Sequence, residues 1–491
     1  MKKKLTAIAT AAAMLLSMVP MTGAAETEDP LSDMESRLNT YYDFPLINYK
    51  YDPEYYDTFE QGGFVYFINK DNHDKYILGG ITDTEAESLT IPQEVNGVPV
   101  TIGWADAPSM HAELPNLKEI NIEGDRLGWW YSIDGVLFRD ATLMYYPPLK
   151  EGDYTIPEGT KAIDQTAFWY TQKLGKVTAC KSLYRIGEFV RSSITEFDGT
   201  AMWGDDMSPV FAECPNLKTV KLNGYLKDPM FKDLPELESI EFTPEALVMD
   251  SFGIAGCPKL TELNIPQGSG SGALMVKNCE NLQKLSFYNN FLGMSDVTWM
   301  ETVLGKLPDY SKNVTIAECP ALKTVDVLAT PYVTSHDWIA IEHCPSLERV
   351  AFHEMPESAM TGGEPDKYYL PMTVGEETGQ FTVYGREEHT ALKAWCEEHH
   401  YAFEPISDAL TLGDVNGDTV ANASDAALVL IAASMFGATG TSDLTAEQEK
   451  AADVNGDSFI NASDAAIIKQ YAAAIGAGTF SGSLEQYLKK S

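Results

Sequence analysis

Between about residues 110 and 355, apolar and polar positions recur in one phrase: leucine or cysteine, two residues, leucine, two residues, then an apolar, polar, apolar close. Leu114-Pro-Asn-Leu117-Lys-Glu-Ile120-Asn-Ile122 and Cys214-Pro-Asn-Leu217-Lys-Thr-Val220-Lys-Leu222 are two copies; others open at Leu234, Cys257, Cys279, Cys319 and Cys344, and Cys180-Lys-Ser-Leu183 begins an imperfect one. From Cys214 onward the steps are 20, 23, 22, 40 and 25 residues, the long one holding an insert at Phe291 to Asn313. A period of roughly 22 is that of a solenoid whose single coil cannot bury its apolar side alone. The alternating close predicts a short strand with one face inward, and stacking predicts a parallel sheet of such strands.

A second pattern sits near the C-terminus. Asp414-Val-Asn416-Gly-Asp418-Thr-Val420-Ala-Asn422-Ala-Ser-Asp425 returns 39 residues later as Asp453-Val-Asn455-Gly-Asp457-Ser-Phe459-Ile-Asn461-Ala-Ser-Asp464. Oxygen side chains stand at loop positions 1, 3, 5, 9 and 12, with a carbonyl at 7, which suits a hard cation that takes six to eight oxygens. Three aspartates per loop repel one another unless a divalent cation lies between them, and calcium is the natural one. Each loop runs into an apolar helical segment, from Ala426 and from Ala465. No good helix enters the first loop, and position 12 is Asp where an EF-hand has Glu.

This duplicated loop-helix, from about Leu412 to Phe480, closely resembles a type I dockerin. The resemblance implies a small all-α module of paired F-hand motifs holding two Ca2+ ions and docking onto a cohesin of a scaffoldin in a cellulosome-type assembly. The implied ligands are Asp414, Asn416, Asp418, Asn422 and Asp425 with the Val420 carbonyl, then Asp453, Asn455, Asp457, Asn461 and Asp464 with that of Phe459. The implied docking residues are Ala423 and Ser424, Ala462 and Ser463, and, on the helices, Leu430, Ile431, Lys469 and Gln470. Since both copies read Ala-Ser, docking in two orientations is implied as an option. Thr419 and Ser458 replace the glycine usual at position 6, a strain on the order of 1 kcal/mol each. Position 8 is Ile460 in the second loop but Ala421 in the first, so the first site is expected to be the weaker.

The repeats resemble the BspA-like leucine-rich repeat class, on Leu89-Thr-Ile-Pro92, Ile133-Asp-Gly-Val-Leu-Phe138, Tyr154-Thr-Ile-Pro-Glu-Gly159 and Ala162-Ile-Asp-Gln-Thr-Ala-Phe168. Phe381-Thr-Val-Tyr-Gly385, the helix to His399 and Tyr401-Ala-Phe403 look like its terminal cap. The fold class expected is therefore α+β: a solenoid of short parallel strands over residues 63–405, a linker at 406–411 and the dockerin-like module at 412–491.

At the other end, Met1-Lys-Lys-Lys4, an apolar run to Val19 and Thr22-Gly-Ala-Ala25 predict a signal peptide over 1–25, hence a secreted, extracellular protein. Residues 26–62, acidic and tyrosine-rich, are expected to be an extended lead-in. The chain has 491 residues, a formal charge of −37, and 44% hydrophobic and 11% aromatic content. Those values support packed cores and argue against nucleic acid or anionic membrane as partner. No stretch after the signal peptide is long enough to insert in a membrane.

Six of the seven cysteines fall at the repeat position that is leucine at 114 and 234, so buried thiols are expected, with inter-coil disulfides as the rival. No Gly-x-Ser-x-Gly, His-Glu-x-x-His, phosphate loop or dinucleotide fingerprint occurs, so no catalytic residue is assigned. Cys396 and His399 share a helix face but read as cap packing. Trp129-Trp130-Tyr131, Tyr145-Tyr146, Trp299 and Trp338 read as core and turn residues or as stacking platforms. The function expected is a non-enzymatic one, docking on a cohesin while the repeats present a surface to protein or glycan. The alternative is a dockerin-tethered polysaccharide hydrolase or other hydrolase whose catalytic region within 63–405 is not recognisable.

Overall fold

The structure, a computed structural model, describes residues 54–103, 114–204, 207–267, 272–288, 314–329, 339–354, 372–387, 389–406, 411–417, 420–476, 479–480 and 482–490. The signal peptide, most of the lead-in, the insert at 291–313, Trp299, Trp338, Asp418 and Thr419 lie outside them. Two compact units are present: the first comprises the described residues of Met1–Lys323, Thr334–Leu347 and Tyr369–Gly379, the second those of Thr324–Val333, Glu348–Tyr368 and Gln380–Ser491.

The first unit opens with a sheet in which Tyr56–Gln61 pairs antiparallel with Phe64–Asn69, so regular structure begins within the predicted lead-in. Beyond Gly152 the chain winds in coils that lay short strands on two parallel ladders. The first ladder takes Gly152–Thr155, Leu174–Thr178, Glu196–Asp198, Thr219–Leu222 and Ser239–Phe242 in order; Glu262–Ile265 and Lys284–Phe287 form a further pair. The second takes eight strands, from Glu188–Val190 to Met372–Val374. Alternation is as the sequence predicts: Val177, Phe197, Val220, Leu263 and Leu285 are buried, while Lys176, Glu196, Lys221, Glu241, Glu262 and Lys284 project from the opposite face. Burying such a side chain contributes about 1.5–3 kcal/mol, which supports coils with no long helices of their own.

Phenylalanine rings form a spine through the coils, Phe168 to Phe189 at 4.8 Å, Phe189 to Phe211 at 5.1 Å, Phe211 to Phe231 at 5.8 Å and Phe231 to Phe252 at 5.7 Å. At the Cys-x-x-Leu phrase the leucine N–H returns to the cysteine carbonyl, as Leu217 to Cys214 at 3.4 Å and Leu347 to Cys344 at 3.2 Å. Just before it the backbone is left-handed at Glu213, Asp233, Gly256, Asn278, Glu318 and His343, with φ of 53°, 50°, 69°, 51°, 54° and 52°. Only one of these six is glycine, so the position carries a recurring strain that no residue type advertises.

One cysteine departs from the expected column. Cys214, Cys257, Cys279, Cys319 and Cys344 each follow a second-ladder strand, whereas Cys180 follows the first-ladder strand Leu174–Thr178 and lies on the opposite turn. Its phrase closes the same local bond, Leu183 N–H to Cys180 O at 3.3 Å, which is why it looked like a copy. The column at its expected level is continued instead by Ser192 and Thr171, whose hydroxyls meet at 2.6 Å. All seven cysteines are buried and unpaired as disulfides.

The aromatic clusters divide. Trp130, Tyr145 and Tyr146 are buried, and Tyr131 stacks on Phe138 at 5.3 Å, whereas Trp129 is 71% exposed between two short strands.

The second unit contains the parallel strands Thr324–Ala329, Arg349–Glu354, Thr382–Gly385 and Ala402–Pro405, with helix α1 (Thr390–His399) between the last two. Rings stack through this cap: Phe381 on Tyr401 (4.6 Å), Tyr401 on Trp395 (5.4 Å) and Trp395 on His399 (4.7 Å). Cys396 is buried there, the packing role expected of it. The C-terminal module follows with α2 (Ala423–Thr439), α3 (Ala446–Ala452), α4 (Ala462–Gly476) and α5 (Leu484–Leu488). Among the described residues no helix is long and apolar enough to cross a membrane.

Candidate calcium loops and docking faces

The two twelve-residue loops lead into α2 and α4, and the 39-residue offset holds in three dimensions. Val415 and Val454, Asp425 and Asp464, Ala426 and Ala465, and Val429 and Ile468 are buried at matching places. These residues, with Ala451, Ala452 and Leu484, make the core of the module, and both position-8 residues, Ala421 and Ile460, pack against it.

Position 12 is the pivot of each loop. Asp464 Oδ1 accepts from the N–H groups of Val454 (3.1 Å) and Asn455 (3.3 Å), and Oδ2 from Asn461 (3.0 Å). Asp425 repeats this with Val415 (2.8 Å), Asn416 (3.0 Å) and Asn422 (2.8 Å). Asp425 thereby completes a capping box at the start of α2 with Asn422 as N-cap, and a carboxylate there is favoured by the helix dipole. The Asp side chain is short enough to sit under its own loop.

The remaining loop oxygens are engaged by backbone N–H groups of their own loop. Asp453 accepts from Asp457 N–H (3.0 Å) and Ser458 N–H (2.9 Å), Asn455 Oδ1 from Asp457 N–H (2.9 Å), and Asp457 Oδ1 from Phe459 N–H (2.8 Å). In the first loop Asp414 accepts from Gly417 N–H at 2.9 Å. Asn461 Oδ1 takes the Ser463 N–H (2.8 Å) while its amide donates to the Phe459 carbonyl (2.9 Å); Asn422 does the same with Ser424 (2.7 Å) and Val420 (3.0 Å). Ser458 has φ 66°, the left-handed backbone expected at position 6.

Among the described residues no three His, Cys, Asp or Glu side chains are gathered into a metal-holding group. The loop carboxylates are drawn onto backbone N–H groups instead, and Asp418 is outside the described residues. The donor chemistry nonetheless fits a hard cation: carboxylate and amide oxygens only, with Asp464 fully buried and, among the described residues, no Lys or Arg within ion-pair distance of Asp453, Asp457 or Asp464. A buried carboxylate held only by N–H dipoles carries a large desolvation penalty that a cation offsets.

All eight residues expected to dock lie at the surface: Ala423, Ser424, Leu430 and Ile431 on α2, and Ala462, Ser463, Lys469 and Gln470 on α4. Leu430 is 39% and Ile431 51% exposed, so the α2 face is apolar where its α4 counterpart is polar and cationic. Two contributors to the module escaped the sequence reading. Gln448 of α3 donates to the Val415 carbonyl at 3.0 Å, and Leu484 of α5 closes the core against Gly413. Thr445-Ala-Glu-Gln448 and Ser483-Leu-Glu-Gln486 are both capping boxes, the signal that announces these helices.

Coiled parallel ladders and paired loop-helix motifs define the class, a repeat solenoid that carries a duplicated loop-helix module. Residues 412–472 match the Dockerin type I domain, and 148–228 and 207–319 match the BspA type Leucine rich repeat region, in six copies. The chain thus carries a type I dockerin, a calcium-binding module that implies a cohesin partner, C-terminal to BspA-type repeats. Neither is a catalytic module, and no catalytic domain is matched. Among solved structures the chain is similar to the pneumococcal vaccine antigen PcpA, with 15% identity over 65% of this chain and 56% of that one and a TM-score of 0.24. It is also similar to a leucine rich cell surface protein from Faecalibacterium prausnitzii, with 13% identity over 69% of this chain and 97% of that one and a TM-score of 0.20. The chain thus spans just over half the length of PcpA. No curated protein sequence matches it.

Proposed function

We propose that this is an exported, non-enzymatic component of a cellulosome-type complex, moored through its dockerin to a scaffoldin cohesin while the repeats present a surface to a second macromolecule, protein or glycan. The observation that carries the reading is the pair of loops with a buried position-12 aspartate and, in the second, no cationic side chain among the described residues to balance it.

In this reading each loop holds one Ca2+. Asp414, Asn416, Asp418, Asp425 and the Val420 carbonyl serve the first ion, and Asp453, Asn455, Asp457, Asp464 and the Phe459 carbonyl the second. Asn422 and Asn461, whose amide oxygens cap helices, act through water, the common arrangement at position 9. The bound ion supplies the positive charge that lets the loop carboxylates converge. The chain's own part is to hold position 12 at the helix start and so fix the faces of α2 and α4. Docking then uses Ala423, Ser424, Leu430 and Ile431, or their counterparts Ala462, Ser463, Lys469 and Gln470.

The test is calorimetric titration of the full chain with calcium, followed by cohesin binding with and without chelator. Two ions bound, one after Asp453→Ala, and docking abolished by EDTA are expected. Undiminished cohesin binding in excess EDTA would overturn the reading.

A further inference from the structure

One turn edge of the repeats carries large aromatic side chains that the core does not use. Trp203 is 57% and Tyr184 45% exposed, and Tyr225 is half-buried beside them. They sit on successive coils joined through their turns: Tyr184 N–H donates to Lys161 O (2.9 Å), Tyr225 N–H to Gly204 O (3.0 Å) and Leu247 N–H to Gly224 O (3.0 Å). Gly204 has no room for a side chain, because a Cβ there would stand 2.7 Å from the Tyr184 Cα. The turn bearing Trp203 is thus closed onto the turn bearing Tyr184. On its other side, the Trp203 and Tyr225 rings lie 6.4 Å apart at 74°, an edge-to-face pair that fixes the indole while leaving more than half of the residue open.

Exposed Lys161, Arg185 and Lys227 stand on the same turns, and among the described residues none is in an ion pair. Asp205 and Asp206 follow Gly204 in sequence, and the Asp228 carboxylate is engaged by Ser251 N–H at 2.8 Å. In a chain of net charge −37, three exposed cationic side chains on neighbouring turns set this edge apart. It offers flat rings in coil register, about 4.8 Å per coil, with N–H donors at their margin. That combination suits a pyranose chain, which has an apolar C–H face and a rim of hydroxyls; a polyanion would be repelled by the chain as a whole.

We propose that the edge formed by Tyr184, Trp203 and Tyr225 binds an uncharged polysaccharide, with sugar faces on Trp203 and Tyr184 and hydroxyls met by Lys161, Arg185 and Lys227. This deepens the reading of the repeats as a binding surface and is independent of the calcium tail. The test is affinity electrophoresis of the full chain through gels containing neutral β-glucan, xylan or mannan, with polygalacturonate as the acidic counterpart. Retardation by at least one neutral polymer is expected, weakened about tenfold or more in Trp203→Ala, partly kept in Trp203→Phe and unchanged in Trp129→Ala. Tenfold corresponds to about 1.4 kcal/mol. If Trp203→Ala lowers the melting temperature, Tyr184→Ala carries the same test. Retardation should survive chelator, which separates it from cohesin docking. No retardation by any neutral polymer, retardation by the acidic polymer alone, or equal retardation of wild type, Trp203→Ala and Tyr184→Ala would overturn the proposal.

Discussion

Changing Asp464 to Asn tests the calcium loop with nearly no change of shape. The variant keeps an amide Oδ1 for the N–H groups of Val454 and Asn455 but presents N–H₂ to Asn461 N–H, which in the wild type donates to Asp464 Oδ2 at 3.0 Å. One buried donor left unsatisfied costs about 1–3 kcal/mol. Without calcium that loss is offset in part, because the variant no longer buries an unbalanced negative charge. With calcium a ligand is lost as well. At free calcium a hundredfold above the dissociation constant, the ion stabilises the wild type by about 2.7 kcal/mol, which a variant that no longer binds it forgoes. The destabilisation by Asp464→Asn should therefore be larger in calcium than in chelator by about that amount. Urea unfolding of both proteins, followed by far-UV circular dichroism with and without EDTA, gives the double difference directly. Equal losses in the two conditions would mean that the loop is organised by its hydrogen bonds alone and that the aspartate is a helix cap and nothing more.

His343→Gly, relieving φ 52°, should stabilise the repeats by about 0.5–1 kcal/mol net of the greater freedom of glycine when unfolded, read as a raised urea midpoint. Phe211→Ala, which empties a place in the ring spine between Phe189 and Phe231, should cost about 3–5 kcal/mol; a loss under 1 kcal/mol would show the spine to be dispensable. Burial pushes the thiols of Cys214, Cys344 and Cys396 up to about 12. Since the unfolded thiol ionises near 8.5, the stability these groups contribute is complete below that pH and falls as pH rises toward 12, by about 1.4 kcal/mol per unit per thiol. A urea midpoint that does not fall between pH 8 and 10.5 would refute this. Iodoacetamide at pH 8 should leave all seven cysteines unlabelled until denaturant is added, with intact mass as the readout.

The coil plan was legible because the phrase ending in apolar, polar, apolar is a strand signal, and its period forces stacking. The loops were legible because oxygen side chains at fixed offsets have little other reason to recur. What stayed hidden was either non-local or carried by backbone. The left-handed step before each Cys-x-x-Leu is filled by Glu, Asp, Gly, Asn, Glu and His, so identity gives no hint of a φ that the coil geometry imposes. Cys180 has the right local phrase on the wrong turn, because a four-residue motif fixes a bond and not its place in the coil. Trp129 and Trp130 are adjacent in sequence yet 71% and 7% exposed, because Trp129 stands in the turn and Trp130 opens the strand Trp130–Ile133.

The cysteine column itself has a physical reason beyond apolarity. Each thiol there lies within donating distance of the carbonyl two residues earlier, at the end of a second-ladder strand: Cys214 of Ala212 (3.4 Å, with Phe189 at 3.2 Å as its other carbonyl), Cys257 of Ala255 (3.7 Å), Cys279 of Lys277 (3.5 Å), Cys319 of Ala317 (3.3 Å) and Cys344 of Glu342 (3.3 Å). A leucine fills the space but supplies no donor, and a hydroxyl supplies a donor but requires a second partner, as Thr171 and Ser192 find in each other. A thiol meets both demands in a dry core, being small, apolar and a weak donor. The same setting disfavours oxidation. Hydrogen bonding between neighbours, with burial, raises the pKa of Cys279 and Cys319. Thiol exchange requires the thiolate, so the column stays reduced for as long as the coils stay closed, even though its sulfurs are near neighbours.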